Sequence, residues 1–111
     1  MKIVSRKELM EMPKGTIYSN YSPCIFNGLN ILSGSGGGSD FVYCDLLEDF
    51  EGYESSDVWQ DICEKMESGN DVPMRFGDAY TREGLFDDSM KYAVWSKEDV
   101  KGLIKILSST L

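Results

Sequence analysis

The segment between Thr16 and Leu47 most constrains the fold, because it is a series of short extended runs separated by turn residues. The connections are shorter than the roughly dozen residues that a parallel crossover requires, so neighbouring strands are predicted to pair antiparallel. The last run is apolar on both faces, which is typical of a central strand covered on both sides. The predicted strands of this segment are Thr16–Ser19, Cys24–Phe26, Leu29–Leu32 and Phe41–Leu47.

Turn residues divide these runs from one another. Asn20–Pro23 is predicted to form a turn, and Asn27-Gly28 favours the positive-φ hairpin turn that would join the second and third runs. The glycine-rich segment Ser33–Asp40 is predicted to be the most flexible connection of the chain. A phosphate-binding role for it is disfavoured, because it precedes a strand and lacks the trailing Gly-Lys-Ser/Thr of a phosphate loop.

Three segments carry the signals of amphipathic helices. Ser5–Glu8 has the capping-box pattern of a short first helix, and Ser96–Asp99 caps the last helix. A middle helix is predicted at Asp57–Ser68, with a serine at position 55 or 56 as its cap. The predicted inward stripes are Val58, Trp59, Ile62, Cys63 and Met66 in the middle helix, and Val100, Leu103, Ile104 and Leu107 in the last.

A further strand is predicted at Met90–Trp95, so the element order is helix, strands, helix, strand, helix. This order predicts an α+β fold with a small antiparallel sheet of about four strands and three helices. A chain of 111 residues predicts one domain, covering residues 1–111. We expect the helices to cover one face of the sheet, and a homo-oligomer is one way of covering the other.

Negative charge is concentrated in one segment of the chain. Asp45–Asp71 contains ten carboxylates and one cation, Lys65, for a net charge of −9, whereas the remaining residues carry ten cations and nine carboxylates. This negative charge disfavours direct binding to nucleic acid and to anionic membrane surfaces. Asp57 and Asp61 are like charges one helical turn apart, so the cluster opposes its own folding.

Two interpretations of the acidic segment stay open. An acidic surface keeps a protein soluble, but it also complements a basic protein surface. In the second interpretation the carboxylates contact a cationic partner, with two aromatic side chains as apolar anchors. The residues predicted to bind that partner are Glu48, Asp49, Phe50, Glu51, Tyr53, Glu54, Asp57, Asp61, Glu64 and Glu67.

A second candidate site lies in the irregular stretch 71–88. Arg75 and Arg82, together with the aromatic ring of Tyr80, have the chemistry that clamps a nucleotide or another phosphate ligand. The alternative is internal, because a long loop in a small domain needs fastening, and Arg82 could pair with Asp78 or Asp87. We favour the internal pairing.

The composition excludes several kinds of chemistry. The chain has no histidine, so histidine-based nucleophilic catalysis and His-containing zinc sites are absent. Cys24, Cys44 and Cys63 lack metal-ligand spacing and are predicted to be reduced and buried in an intracellular protein. Asp87-Asp88 is more typical of a turn than of a cation site. We therefore predict no metal, no cofactor and no enzymatic activity.

No apolar run has the length of a membrane span or the character of a signal peptide, so a cytoplasmic protein is expected. The chain also resembles a family of small bacteriophage and prophage proteins. The resemblance rests on Pro13–Ser19 with Tyr21 and Pro23, on Asp40–Tyr43, on Pro73-Met74, and on Arg82–Asp88 with the strand ending near Trp95.

The resemblance implies a phage protein that works in the cytoplasm of a bacterial host. By analogy with small acidic phage proteins, it implies an accessory protein that inhibits a host defence or nucleic-acid-handling protein. The predicted function is therefore non-enzymatic binding of a basic host surface, such as a nucleic-acid-binding groove, through the acidic segment. The alternative is an oligomeric protein that sequesters a nucleotide signal.

Overall fold

The computed structural model describes residues 1–35, 38–47, 55–77 and 80–111, except for the side chain of residue 35. Within these residues six antiparallel strands form one sheet in the order β1-β6-β2-β3-β4-β5, accompanied by three helices. The α+β class is therefore confirmed. In chain order the elements are β1 Lys2–Ser5, α1 Arg6–Met10, β2 Ile17–Ser22, β3 Ile25–Ser35, β4 Phe41–Asp45, α2 Ser56–Glu67, β5 Thr81–Arg82, β6 Lys91–Val94 and α3 Lys97–Ser108.

The sheet is larger than the predicted four strands, and the chain begins with a strand instead of a helix. The two strands that the sequence does not signal are both at sheet edges. β1 has four residues and pairs with β6, placing Val4 opposite Tyr92. β5 has only two residues and pairs with β4, placing Arg82 opposite Val42. Strands this short lack a readable period and are stabilised by partners remote in sequence.

The predicted hairpin at Asn27-Gly28 is wrong, because Gly28 lies inside the long strand β3. Its φ of 79° belongs to a bulge, where the pairing moves from Tyr18–Asn30 to Asn20–Asn27. The turn between β2 and β3 is instead Pro23-Cys24, with φ of 63° at Cys24. A proline followed by a positive-φ residue is the pattern of a type II turn.

The glycine-rich segment also differs from the prediction of a single flexible connection. β3 continues to residue 35, and Gly34 lies opposite Val42 after a second irregularity in the register. Gly34 has a φ of 131°, a conformation that glycine adopts at no steric cost. Part of the predicted connection is thus a paired strand, and residues 36–37 lie outside the described residues.

The main core lies between one face of the sheet and α1. Tyr18, Phe41 and Tyr92 are buried there with their rings edge to face, at centroid distances of 5.6 to 6.2 Å. Edge-to-face aromatic pairs contribute about 0.5–1.5 kcal/mol each beyond the burial of their area. Leu9 of α1 closes this core, and the Ser5–Glu8 capping box fixes the start of the helix, as predicted.

α3 lies over the opposite face of the sheet, so the prediction that all three helices cover one face is wrong. Ile17 and Trp95 line clefts together with Val100 and Leu103 of α3. The Trp95 indole N–H donates to Ser19 Oγ at 3.1 Å on this face. Phe41 and Cys44, on opposite faces of β4, are both buried, which confirms the prediction that this strand is covered on both sides.

The second and third helices begin near the predicted positions. Ser55 caps α2, and Ser96 with Asp99 forms the capping box of α3. Neither helix contains a buried residue, which corrects the prediction of two inward stripes. Val58, Trp59 and Met66 are exposed in α2, as are Ile104 and Leu107 in α3. Among the described residues no helix is long and apolar enough to cross a bilayer.

Candidate functional site

The carboxylates of α2 lie on one side of the helix. Asp57, Asp61, Glu64 and Glu67 are all exposed, and their spacings of three and four residues bring them to the same face. At a rise of about 1.5 Å per residue, this row of charges extends for about 15 Å. We call these four residues the acidic face.

Little positive charge offsets the acidic face in the described part of the chain. Lys65 contacts Asp61 at 3.0 Å, but both side chains are more than half exposed, so solvent screens this pair. In α3, Lys101 pairs with Glu98 of the same helix at 3.4 Å. Among the described residues, the recorded ion pairs do not join α2 to α3.

The remaining predicted partner-binding residues precede α2 in the chain. They lie outside the described residues, so the acidic face rests on α2 alone. These residues are Glu48, Asp49, Phe50, Glu51, Tyr53 and Glu54.

The opposite side of α2 is apolar, and it is exposed. Trp59 and Met66 keep 43% and 45% of their surface accessible, and Ile62 is half-buried. An amphipathic helix of a compact monomer normally buries such a stripe. We call Val58, Trp59, Ile62 and Met66 the α2 stripe.

The second candidate site has a different geometry from the one predicted. Arg82 donates its Nε–H to Asp40 Oδ2 at 2.9 Å, so the internal pairing exists, but with Asp40 as partner. Asp87 instead accepts hydrogen bonds from the backbone and hydroxyl of Ser89. Asp78, the other predicted partner, lies outside the described residues.

The two other residues of this candidate site lie between α2 and β5. Tyr80 is exposed and Arg75 is half-buried. Binding of a nucleotide by Arg75, Tyr80 and Arg82 stays a prediction.

An ionic cluster that no sequence pattern indicates is formed by Arg6, Asp40 and Glu83, with Arg82 at its exposed edge. Arg6 at the start of α1 is 2% exposed and donates to Glu83 Oε2 at 2.7 Å. Asp40, which is fully buried, accepts backbone hydrogen bonds from Gly84 at 3.0 Å and from its neighbour Phe41 at 2.9 Å. The cluster fastens the chain after β5 to α1 and to the start of β4.

The protonation of this cluster follows from its hydrogen bonds. The backbone N–H of Gly84 is the largest cause that lowers the pKa of Asp40, and it outweighs burial, which raises that pKa. Burial disfavours the Arg6 guanidinium, but the hydrogen bond and charge of Glu83 raise its pKa overall. Arg6 and Asp40 are therefore charged near neutral pH.

Aromatic rings complete the environment of Arg6. Its guanidinium lies 5.4 Å from the ring centroid of Phe41 and 5.6 Å from that of Phe86, within the range of cation–π attraction. Arg6 Nε and Glu83 Oε1 are buried with no hydrogen-bond partner among the described residues. The cluster contains two guanidinium groups and two carboxylates that pair with one another, as in a structural ion-pair network.

The chain offers little to a metal ion within its described residues, where no group of three or more potential ligands occurs. Asp87 is occupied by Ser89, whose hydroxyl lowers the pKa of its carboxyl. Among the described residues none of the three cysteines forms a disulfide, and only Cys44 is buried. Cys24 is exposed in the turn after β2 and Cys63 is half-buried in α2, so the prediction of three buried thiols is wrong.

No family model, no curated protein and no solved structure matches this chain.

Proposed function

We propose that this chain is a non-enzymatic binding protein that places the acidic face of α2 on a basic protein surface. The observation that supports this most directly is the position of Asp57, Asp61, Glu64 and Glu67, which share one exposed helix face with one lysine to offset them. Burying carboxylates without partners is costly, so these groups favour an interface that supplies cations.

The charge pattern also indicates the kind of partner. A strongly negative helix repels nucleic acid and is attracted to lysine- and arginine-rich surfaces, such as grooves that bind nucleic-acid phosphates. A row of carboxylates about 15 Å long presents repeated negative charge along one line, as a phosphate backbone does. In this proposal α2 occupies such a groove and excludes the nucleic acid that normally binds there.

The proposal also includes a biological setting, which is the most specific part of it. The resemblance to bacteriophage proteins supports a phage-encoded inhibitor that acts in the bacterial cytoplasm on a host defence or nucleic-acid-handling protein. Inhibition by an electrostatic surface needs no catalytic group, which agrees with a chain that has no histidine.

The test is capture from a bacterial lysate with three forms of the protein. The first is the native chain, and the second carries Asp57→Lys and Glu64→Lys on the acidic face. The control carries Glu11→Lys and Glu98→Lys, which produce the same change in net charge elsewhere. Glu98 matches Asp57 because both are acidic residues in the first turn of a helix.

The native and control proteins are expected to capture the same basic protein, and high salt should release it. The acidic-face variant is expected not to capture it. The purified partner should then lose its nucleic-acid binding when the native protein is added. Equal capture by all three forms would exclude the acidic face as the binding surface.

A further inference from the structure

The chain exposes more surface than a compact monomer of its mass. Its accessible surface is 7824 Å², whereas a folded monomer of 12.5 kDa exposes about 6,200 Å². The excess of about 1,600 Å² exceeds the roughly 800 Å² that each partner contributes to a standard protein interface. The surface is thus sufficient for one further interface on each chain.

Several of the exposed apolar residues belong to α3 and to the chain beside it. A cavity of about 300 Å³ opens between α3 and the sheet, and its lining is entirely apolar. On its α3 side Ile104 and Leu107 are each 57% exposed, and Leu46, Leu47 and Phe76 also line it. We call this cavity and its exposed margins the α3 cleft.

The α2 stripe is the matching convex element. Its four apolar residues lie along one side of a twelve-residue helix, which is the form of an element that packs into a hydrophobic groove. Trp59 and Met66 supply the large side chains that fill such grooves. Both halves of an apolar contact are therefore present, and exposed, in a single chain.

One edge of the α2 stripe is opposite in charge to the α3 cleft. Lys97 and Lys101 neighbour Ile104 on α3, and both are exposed. At a rotation of about 100° per residue, Glu67 is the charge on one side of the α2 stripe, and Lys65, which pairs with Asp61, lies on the other. An α2 stripe seated in the α3 cleft can therefore bring Glu67 next to these lysines.

We propose that a second copy of this chain occupies the α3 cleft, with the α2 stripe of each copy packed into the cleft of the other. A two-fold dimer makes this contact twice, and each copy contributes α2 to one contact and α3 to the other. Asp57 and Glu64 point away from the stripe and stay exposed. The dimer thus displays two acidic surfaces, and its existence does not depend on the proposed function.

Sedimentation equilibrium or light scattering tests the dimer, with a mass of twice 12.5 kDa expected for the native chain. Met66→Glu in the stripe and Ile104→Glu in the cleft should each give a monomer. Leu85→Glu is the control, because Leu85 is an exposed apolar residue, more exposed than Met66 and Ile104, that lies outside both elements, and it should leave the dimer intact. Circular dichroism confirms that each variant is folded.

Charge exchange tests the pairing of α2 with α3 without touching the apolar residues. Lys101→Glu alone and Glu67→Lys alone should each weaken the dimer, and the chain that carries both changes should recover it. A native chain that stays monomeric at its highest soluble concentration would overturn the proposal. A dimer that survives both Met66→Glu and Ile104→Glu would overturn it as well.

Discussion

Asp40 accepts a hydrogen bond from Arg82 Nε at 2.9 Å, joining two residues that lie 42 positions apart. The same carboxylate accepts from the backbone N–H of Gly84, and Arg6 lies 3.5 Å away. Because these contacts come from α1, from β5 and from the chain just after β5, Asp40 is where the edge of the sheet is fastened to the core. The residues after β5 depend on this group for their position.

Removal of Arg6 should destabilise the fold more than any surface change. Arg6→Met keeps the apolar contacts with the aromatic rings but leaves the buried carboxylates of Asp40 and Glu83 without their shared cation. Breaking a buried ion pair by removing one partner costs about 3–5 kcal/mol. Urea denaturation should show a loss of this order in the free energy of unfolding.

The neighbouring Lys7→Met is the control, because Lys7 is exposed and the substitution removes the same charge. It should change the free energy of unfolding by about 0.5 kcal/mol or less. Equal effects of the two substitutions would mean that the ionic cluster around Arg6 does not stabilise the fold.

Acid should destabilise the protein partly through Asp40. Its pKa is lowered in the folded state, chiefly by the Gly84 N–H, so it contributes stability above the ordinary pKa of about 3.9 and loses it as the pH falls through the folded value. The free energy of unfolding, measured from pH 6 down to pH 2, should fall more steeply for the native chain than for Asp40→Asn.

Part of the acid response should remain in Asp40→Asn, because other carboxyls also have lowered pKa values. Hydrogen bonds from the Met1 amine and from Ser96 lower the pKa of Asp99 to about 2. Identical pH profiles for the native chain and Asp40→Asn would contradict the role assigned to Asp40.

Two glycine substitutions should have effects of opposite sign. Gly28→Ala places a Cβ at a φ of 79°, 3.3 Å from the side chain of Asn30, and should destabilise by about 1–2 kcal/mol. Gly102→Ala lies in α3 with nothing within 4 Å of the new Cβ, and should stabilise by up to about 1 kcal/mol. Thermal unfolding of both variants checks the pair, and a destabilising Gly102→Ala would contradict the open environment of that residue.

The helices could be predicted from the sequence because their signals are local. The serines that cap each helix, and the acidic residues three positions later in α1 and α3, act within one turn of the backbone. The sequence also indicates the acidic face, since helical spacing alone decides which carboxylates share a side.

The sheet and the ionic cluster were harder to predict because their partners are distant in sequence. β1 is stabilised by β6, about ninety residues later, and Asp40 by Arg82. Gly28 has the positive φ that its dipeptide predicted, but a bulge and a hairpin turn both require that conformation. Only the register of β2 against β3 shows that Gly28 lies in a bulge and not in a hairpin turn.

The salt dependence of binding tests the acidic face most directly. The affinity of the native protein for its captured basic partner, measured by calorimetry over a range of sodium chloride concentrations, should fall steeply with salt, because solvent-accessible charges are screened. The variant with Asp57→Lys and Glu64→Lys should bind more weakly and with a shallower dependence, while the Glu11→Lys, Glu98→Lys control should follow the native protein. An affinity that is insensitive to salt, or unchanged in the acidic-face variant, would contradict the proposed function.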